Sequence, residues 1–122
     1  MLEKFIKENF QYSADIYTKL LEYKKLLLDA NEHMNLIGKS TIIEFDQRHL
    51  LDCMQIHRYM PDKNKLTIDL GTGAGLPGVL LSIIGYKNLH LIEKSPKKSA
   101  FLEDCKLRLA LDCNIHNQPL AE

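Results

Sequence analysis

Leu66-Thr67-Ile68-Asp69-Leu70-Gly71-Thr72-Gly73-Ala74-Gly75-Leu76-Pro77-Gly78 is the stretch whose reading decides the fold. It opens as a short apolar run with β-branched residues, the pattern of a buried strand. Four glycines then fall within eight residues, and Val79, Leu80, Leu81, Ile83 and Ile84 follow as a helical pattern. Strand, glycine turn and helix in immediate succession form the local shape of a nucleotide-cofactor site. Glycine has no Cβ, so the turn can reach positive φ and a ligand can lie against bare backbone. The amides opening the next helix then face that ligand with partial positive charge.

The spacing narrows the reading. A dinucleotide fingerprint would place its third glycine at position 76, which is Leu76; the glycine falls at Gly75 instead, giving G-x-G-x-G. That pattern resembles the first motif of S-adenosylmethionine-dependent methyltransferases with a Rossmann-like fold. A structural turn without a ligand is the competing reading, and so many glycines directly after a strand speak against it. Beyond the loop, Leu89-His90-Leu91-Ile92-Glu93 reads as a second strand ending in an acid, 22 residues after Gly71. An acid there suits two adjacent ribose hydroxyls, because one carboxylate accepts from both. S-adenosylmethionine and NAD both carry such a ribose, so Glu93 does not separate them; a solvated strand end is the plainer alternative.

Working outward, residues 1 to about 10 are amphipathic, with Leu2, Phe5, Ile6 and Phe10 on one side. Ser13 is placed to cap a helix in which Ile16, Leu20, Tyr23 and Leu27 recur at helical spacing, widened by Leu21 and Leu28 and ending near Asn31. Asn35 to Gly38 is a turn, and Ser40 or Thr41-x-x-Glu44 starts a further helix to about Tyr59, stopped by Pro61 and Asp62. After the glycine loop, Pro77 is expected in the first helical turn and Gly85 as a C-terminal cap. Ser95-Pro96 caps and opens a helix to about Asp112, burying Phe101, Leu102, Cys105 and Leu109. Asn114 to Asn117 reads as a third strand. The expected organisation is α/β: a helical region over 1–64, then β-α-β-α-β over 65–122. Alternation implies a parallel sheet with right-handed crossovers, in strand order 3-2-1. A doubly wound cofactor fold has two such halves, and this is the first.

With 122 residues the chain makes one domain, long enough to bury a core. Sixteen basic side chains balance sixteen acidic ones, so any pull toward nucleic acid is local rather than global. Cys53, Cys105 and Cys113 are odd in number and lack C-x-x-C spacing, which suggests reduced thiols in a cytoplasmic protein. No signal peptide or membrane-length apolar run is present, so no membrane partner is expected.

The chain resembles the N-terminal part of the glucose-inhibited division protein B family. The resemblance rests on Asn35-Leu36, Arg48-His49-Leu50-Leu51-Asp52-Cys53, the loop from Asp69 to Gly78, Glu93 with Lys97, Lys98, Phe101 and Leu102, and the closing Ala121-Glu122. Leu76-Pro77-Gly78 closing the loop, with Arg-His-x-Leu-Asp upstream, is far more specific than a bare glycine motif. The resemblance implies a truncated Rossmann-like, S-adenosylmethionine-dependent methyltransferase acting on guanine N7 of 16S, small-subunit ribosomal RNA. It also implies that the family's remaining strands and substrate-facing residues lie beyond Glu122, so activity of this chain alone is in doubt. Cys53 stands where serine is common in the family.

By that resemblance, Gly71 and Leu76 line the methionine and ribose side of the cofactor, Gly73 and Gly75 shape the loop, and Glu93 holds the ribose. Ala121 and Glu122 face the adenine, mainly through backbone. Asp69 either orients the loop or ligand ammonium, or is purely structural. Arg48 and His49 either approach cofactor or RNA, or are a surface arginine and a half-buried histidine. His49, Cys53 and His57 share a helix face, but one helix rarely supplies three metal ligands, so no metal is expected. Lys94, Lys97 and Lys98 are a candidate RNA-phosphate contact or a solvated helix start. The tyrosines Tyr12, Tyr17 and Tyr23 read as packing residues. Three functions remain in view: an RNA methyltransferase or its cofactor half, a non-enzymatic remnant or half-protein that pairs with a separate chain, and a nicotinamide-dependent oxidoreductase fragment, which Leu76 disfavours.

Overall fold

The computed structural model describes residues 2–11, 13–38, 50–52 and 55–119. Two helices lead: α1 (Leu2–Asn9) and α2 (Ser13–Met34). A 3-10 turn (Gln55–Arg58) precedes β1 (Thr67–Leu70), α3 (Gly78–Ile83), β2 (Leu89–Glu93), α4 (Pro96–Leu109) and β3 (Asn114–Asn117). The three strands form one parallel sheet in the order β1-β2-β3, the expected topology. Thr67 pairs with Leu89 and Leu70 with Ile92, while His90 pairs with Asn114 and Glu93 with Asn117.

The amphipathic stripe of α2 forms as its periodicity predicts: Ile16, Leu20, Tyr23 and Leu27 are all buried, against α3 and α4. Together with Val79, Leu80, Leu89, Leu91, Phe101, Leu102 and Cys105 they make one core under a single face of the sheet. Leu21, expected to widen the stripe, is instead exposed. Burial pushes the Cys105 thiol up to about 12 and raises Cys113 too, so both stay as thiols near neutral pH. No described helix is long and apolar enough to cross a membrane.

Several element ends differ from expectation for identifiable reasons. Helix α2 runs past Asn31 to Met34 because the stop is Asn35, whose φ of 51° is left-handed. Asn31 serves from inside, its Oδ1 accepting the Ile37 N–H at 2.8 Å. Ser13 is the first residue of α2 rather than its cap. Pro77 stands one residue ahead of α3 rather than inside its first turn. Gly85 ends α3 as expected: its φ is 112°, its N–H meets the Ser82 carbonyl at 3.1 Å, and the Tyr86 N–H meets Leu81 at 3.0 Å. Ser95 caps α4, its Oγ accepting the Lys98 N–H at 3.3 Å, with Pro96 opening the helix. Helix α4 stops at Leu109, short of Asp112, because Ala110 turns left-handed at φ 52° and lets Leu111 and Cys113 fold back into the core. The helix expected over 41–59 lies largely outside the described residues, as do Ser40, Thr41 and Glu44; its final residues form the 3-10 turn.

The largest departure is β1. It was expected to be a buried strand, yet Leu66, Ile68 and Leu70 are 61%, 54% and 64% exposed. The polar members of the alternation, Thr67 and Asp69, are the half-buried ones. Asp69, on the inner side, reaches the Gly78 amide at the start of the next helix.

Candidate functional site

The glycine loop lies at the C-terminal end of the parallel strands, where α/β sheets place ligands. Gly71, Gly73 and Gly75 have φ of 66°, 56° and 92°, a region that strains side-chain-bearing residues. The Gly71 and Thr72 amides donate to the Ile92 carbonyl at 2.9 and 3.3 Å, so the loop begins tied to β2. The Gly75 N–H closes a turn onto Thr72 at 2.9 Å.

Two carboxylates then hold the loop from below. Asp69 Oδ2 accepts the Gly78 N–H at 3.0 Å, satisfying an otherwise orphaned amide at the start of α3. Glu93 Oε1 accepts the Gly73 N–H at 2.8 Å, and its Oε2 accepts the Ser95 N–H at 2.9 Å. One side chain thereby bridges the loop after β1 and the N-terminus of α4. From the opposite side the Tyr23 hydroxyl donates to the Ala74 carbonyl at 2.6 Å.

Close approach explains two of the glycines. A Cβ on Gly75 would overlap Val79 and lie 3.0 Å from Leu102. On Gly78, which has ordinary helical geometry, it would overlap Leu91 and lie 2.7 Å from Asp69 Oδ2. Gly73 is different: a Cβ there would meet nothing nearer than 3.9 Å, so only its φ calls for glycine and space opens beside it.

The electrostatics are those of a partly desolvated acidic floor. Burial raises the Asp69 carboxyl above the usual range; the nearby Thr72 hydroxyl and the Gly78 amide oppose this, and Glu93 adds to it. The Thr72 Oγ1 is buried and has no partner at hydrogen-bonding geometry.

The lining of the loop is compatible with a nucleoside cofactor. The open side of Gly73 and the left-handed glycines fit a ligand resting on the loop. Glu93 is only 5% exposed and both oxygens already accept backbone amides. A carboxylate has about four acceptor positions, so two remain for a ribose diol. Leu76 is half-buried at the loop's far end.

Gly71, Gly73, Gly75, Leu76 and Glu93 therefore lie in one neighbourhood. Arg48, His49, Ala121 and Glu122 lie outside the described residues, as do Cys53 and Tyr12. Lys94 and Lys97 are exposed at the start of α4 and Lys98 is half-buried. His57 packs between Phe5 and Phe10, with ring centroids 6.2 and 4.9 Å away. Burial, then Arg58 and Lys63, lowers its pKa. No group of three metal-ligating side chains occurs among the described residues. Tyr23 was read as packing alone; 51 residues separate it from its acceptor, and nothing local in the sequence marks that pairing.

Among the described residues, two open grooves lie away from the loop. One of about 460 Å³ sits among Phe10, Ile16, Lys63 and Ile84, and another of about 630 Å³ runs between α2 and the end of α4. Leu70, at the start of the loop, is exposed.

Comparison with known proteins shows the family. A family described as GidB, rRNA small subunit methyltransferase G, matches residues 16–120. A relative from Orientia tsutsugamushi (strain Boryong), named ribosomal RNA small subunit methyltransferase G, is 43% identical over 98 residues, covering 80% of this chain and 50% of its own. One from Rhodospirillum centenum with the same name is 34% identical over 109 residues, covering 89% of this chain and 50% of its own. The chain spans about half the length of these curated relatives. On the strength of the family match and these identities, the chain belongs to the GidB family of rRNA small subunit methyltransferases G.

Proposed function

We propose that this chain is the cofactor-binding half of an S-adenosylmethionine-dependent methyltransferase acting on guanine N7 of small-subunit ribosomal RNA. In this reading residues 1–64 are a helical region and 65–122 the first half of the Rossmann-like unit, in the cytoplasm. The observation that carries it is the glycine loop clamped by Asp69 and Glu93, with open space beside Gly73.

When bound, S-adenosylmethionine would supply a sulfonium-activated methyl group for transfer to guanine N7, with its sulfur left behind as the neutral thioether. N7 offers a lone pair and no proton, so no side chain need act as a base. The work left to the protein is positioning and a fixed electrostatic environment. Gly71, Gly73, Gly75 and Leu76 shape the surface for the ligand. Glu93 holds the Gly73 amide and directs its remaining lone pairs to the ribose. Ala121 and Glu122 are assigned to the adenine, and Arg48 and His49 to substrate, by family resemblance alone.

Calorimetry with S-adenosylmethionine and with NAD tests the reading. Binding of S-adenosylmethionine alone is expected; binding of NAD alone would transfer the loop to nicotinamide chemistry. With labelled S-adenosylmethionine and unmethylated small subunits, this chain by itself is expected to transfer little label. Misalignment by about 1 Å costs on the order of a hundredfold in rate. Transfer at the rate of a full-length relative would show that the other half is dispensable.

A further inference from the structure

One end of the sheet carries the glycine loop, and the other gathers cations. Lys65 and Lys87 stand two residues ahead of β1 and β2. Thr67 pairs with Leu89, so the two lysines enter neighbouring strands at the same height. Such strands lie about 4.8 Å apart. The Lys87 N–H donates to the Lys63 carbonyl at 3.0 Å, which brings a third lysine to this end. Arg58 joins them from the 3-10 turn. Arg58, Lys65 and Lys87 are exposed. Lys63 is engaged, its Nζ donating to the Ile84 carbonyl at 2.8 Å and lying over the Phe10 ring.

Opposing charge is thin here. Asp62 Oδ1 accepts the Asn64 N–H at 3.0 Å, and Asp112 stands one strand further on, ahead of β3. The positive field reaches His57, whose pKa is lowered first by burial and then by Arg58 and Lys63. In a chain whose basic and acidic side chains balance at sixteen each, this is a local excess.

An aromatic ring stands among these charges. Tyr59 is 85% exposed, the most exposed of the described large apolar side chains. Its backbone is nonetheless fixed. The Tyr59 N–H donates to the Ile56 carbonyl at 2.9 Å, and the carbonyl of the next residue, Met60, accepts from the Tyr86 hydroxyl. Tyr59, Pro61, Lys65 and Leu66 line one cleft of about 290 Å³, where an aromatic face, an apolar floor and an ammonium meet. A single exposed apolar side chain needs no explanation. A ring held in place, left in water and flanked by cations is different: bases stack on such a face while phosphates meet the charges. A duplex hides its base faces, so an unpaired segment is the form that fits.

We propose that Tyr59, with Arg58, Lys65 and Lys87, forms a docking surface for an unpaired segment of RNA, at the end of the sheet opposite the glycine loop. The choice of RNA rests on the functional reading above; the surface rests on the ring and the charges. From Leu66 to Gly71 the chain runs roughly 17 Å at about 3.3 Å per residue, so the docked segment is not the nucleotide at the loop. The surface adds affinity and orientation for the RNA as a whole, and no step of methyl transfer passes through it.

The test is a fluorescence-anisotropy titration of this chain with a short mixed-sequence single strand of RNA, the same sequence as a duplex, and polyglutamate as a competitor. Single strands are expected to bind better than duplex. Tyr59→Ala should weaken that binding on the order of 5- to 150-fold, the loss of one base stacked on an aromatic ring, and Tyr59→Phe should retain it. Lys65→Gln with Lys87→Gln should make the plot of log affinity against log salt shallower by about 1.4, at about 0.7 for each phosphate contact. Lys25→Gln, at an exposed position of α2, should leave affinity and slope unchanged. All four side chains are exposed, so the variants should keep the parent's circular dichroism and melting temperature. Single strands bound no better than duplex, or affinity indifferent to Tyr59→Ala, would overturn the proposal. So would polyglutamate competing as well as RNA, which would assign the patch to an acidic protein. S-adenosylmethionine calorimetry on the same proteins reads the functional proposal apart. Stacking on Tyr59 without cofactor binding sinks that proposal alone, and cofactor binding without stacking sinks this one.

Discussion

Replacing Glu93 with alanine should unfold this protein far more readily than its position at a strand tip suggests. The carboxylate is 5% exposed and accepts the Gly73 and Ser95 amides at 2.8 and 2.9 Å. A hydrogen bond to a charged group contributes about 1.5–3 kcal/mol, so the pair contributes about 3–6 kcal/mol. Relief of the carboxylate's own desolvation returns part of this, leaving a net loss of about 2–4 kcal/mol. Against a total of about 5–15 kcal/mol for a domain, that is a large share. Urea unfolding followed by circular dichroism, without ligand at neutral pH, measures it. Glu93→Ala should lower the midpoint with an unchanged slope. Glu93→Gln should fall between, because its amide retains one acceptor but turns a donor toward an N–H. Lys97→Ala, at an exposed position, should stay within about 0.5 kcal/mol. A Glu93→Ala chain as stable as the parent would refute the clamp. The result also governs cofactor studies: lost S-adenosylmethionine affinity in Glu93→Ala would report a collapsed loop as much as a missing ribose contact. The glutamine variant is the fairer comparison.

Two further outcomes follow from the same floor. Burial raises the Asp69 carboxyl, so the folded state holds its proton more tightly than the unfolded chain. Its contribution to stability is therefore full below the ordinary carboxylate range and declines as pH rises through the raised value. Asp69→Asn keeps an oxygen for the Gly78 N–H and should flatten that decline in urea titrations across pH; an unaltered pH profile would count against the assignment. Gly78→Ala should lower stability by about 1–3 kcal/mol through overlap with Leu91 and Asp69, read as a melting-temperature drop, and an unshifted melt would show that the helix start can move aside.

The β-α-β-α-β order was legible because each element ends in strong punctuation. Gly85 and Ser95-Pro96 mark their boundaries by backbone chemistry that operates locally. Asn31 and Asn35 show where this stops: both are good terminators, and only the fold decides which one turns left-handed. The order of strand, glycine turn and helix was legible, and so was an acid closing the next strand at Glu93. That Glu93 and Asp69 would grip loop amides was not, since such bonds depend on strands paired in register. The exposure of β1 was misread for the same reason. Leu-Thr-Ile-Asp-Leu alternates, but the alternation does not say which side faces the helices, and the polar side does.

The bond from Tyr23 to Ala74 has a consequence for how the molecule can be divided. It fastens α2 to the middle of the glycine loop, inside a core that both share. Residues 65–122 could not be excised as a minimal binding module without stripping a hydroxyl from a buried carbonyl and a helix from the back of α3 and α4. Helix α2 is thus a structural wall of the glycine loop rather than an appendage, and any change that loosens it would reach the loop directly.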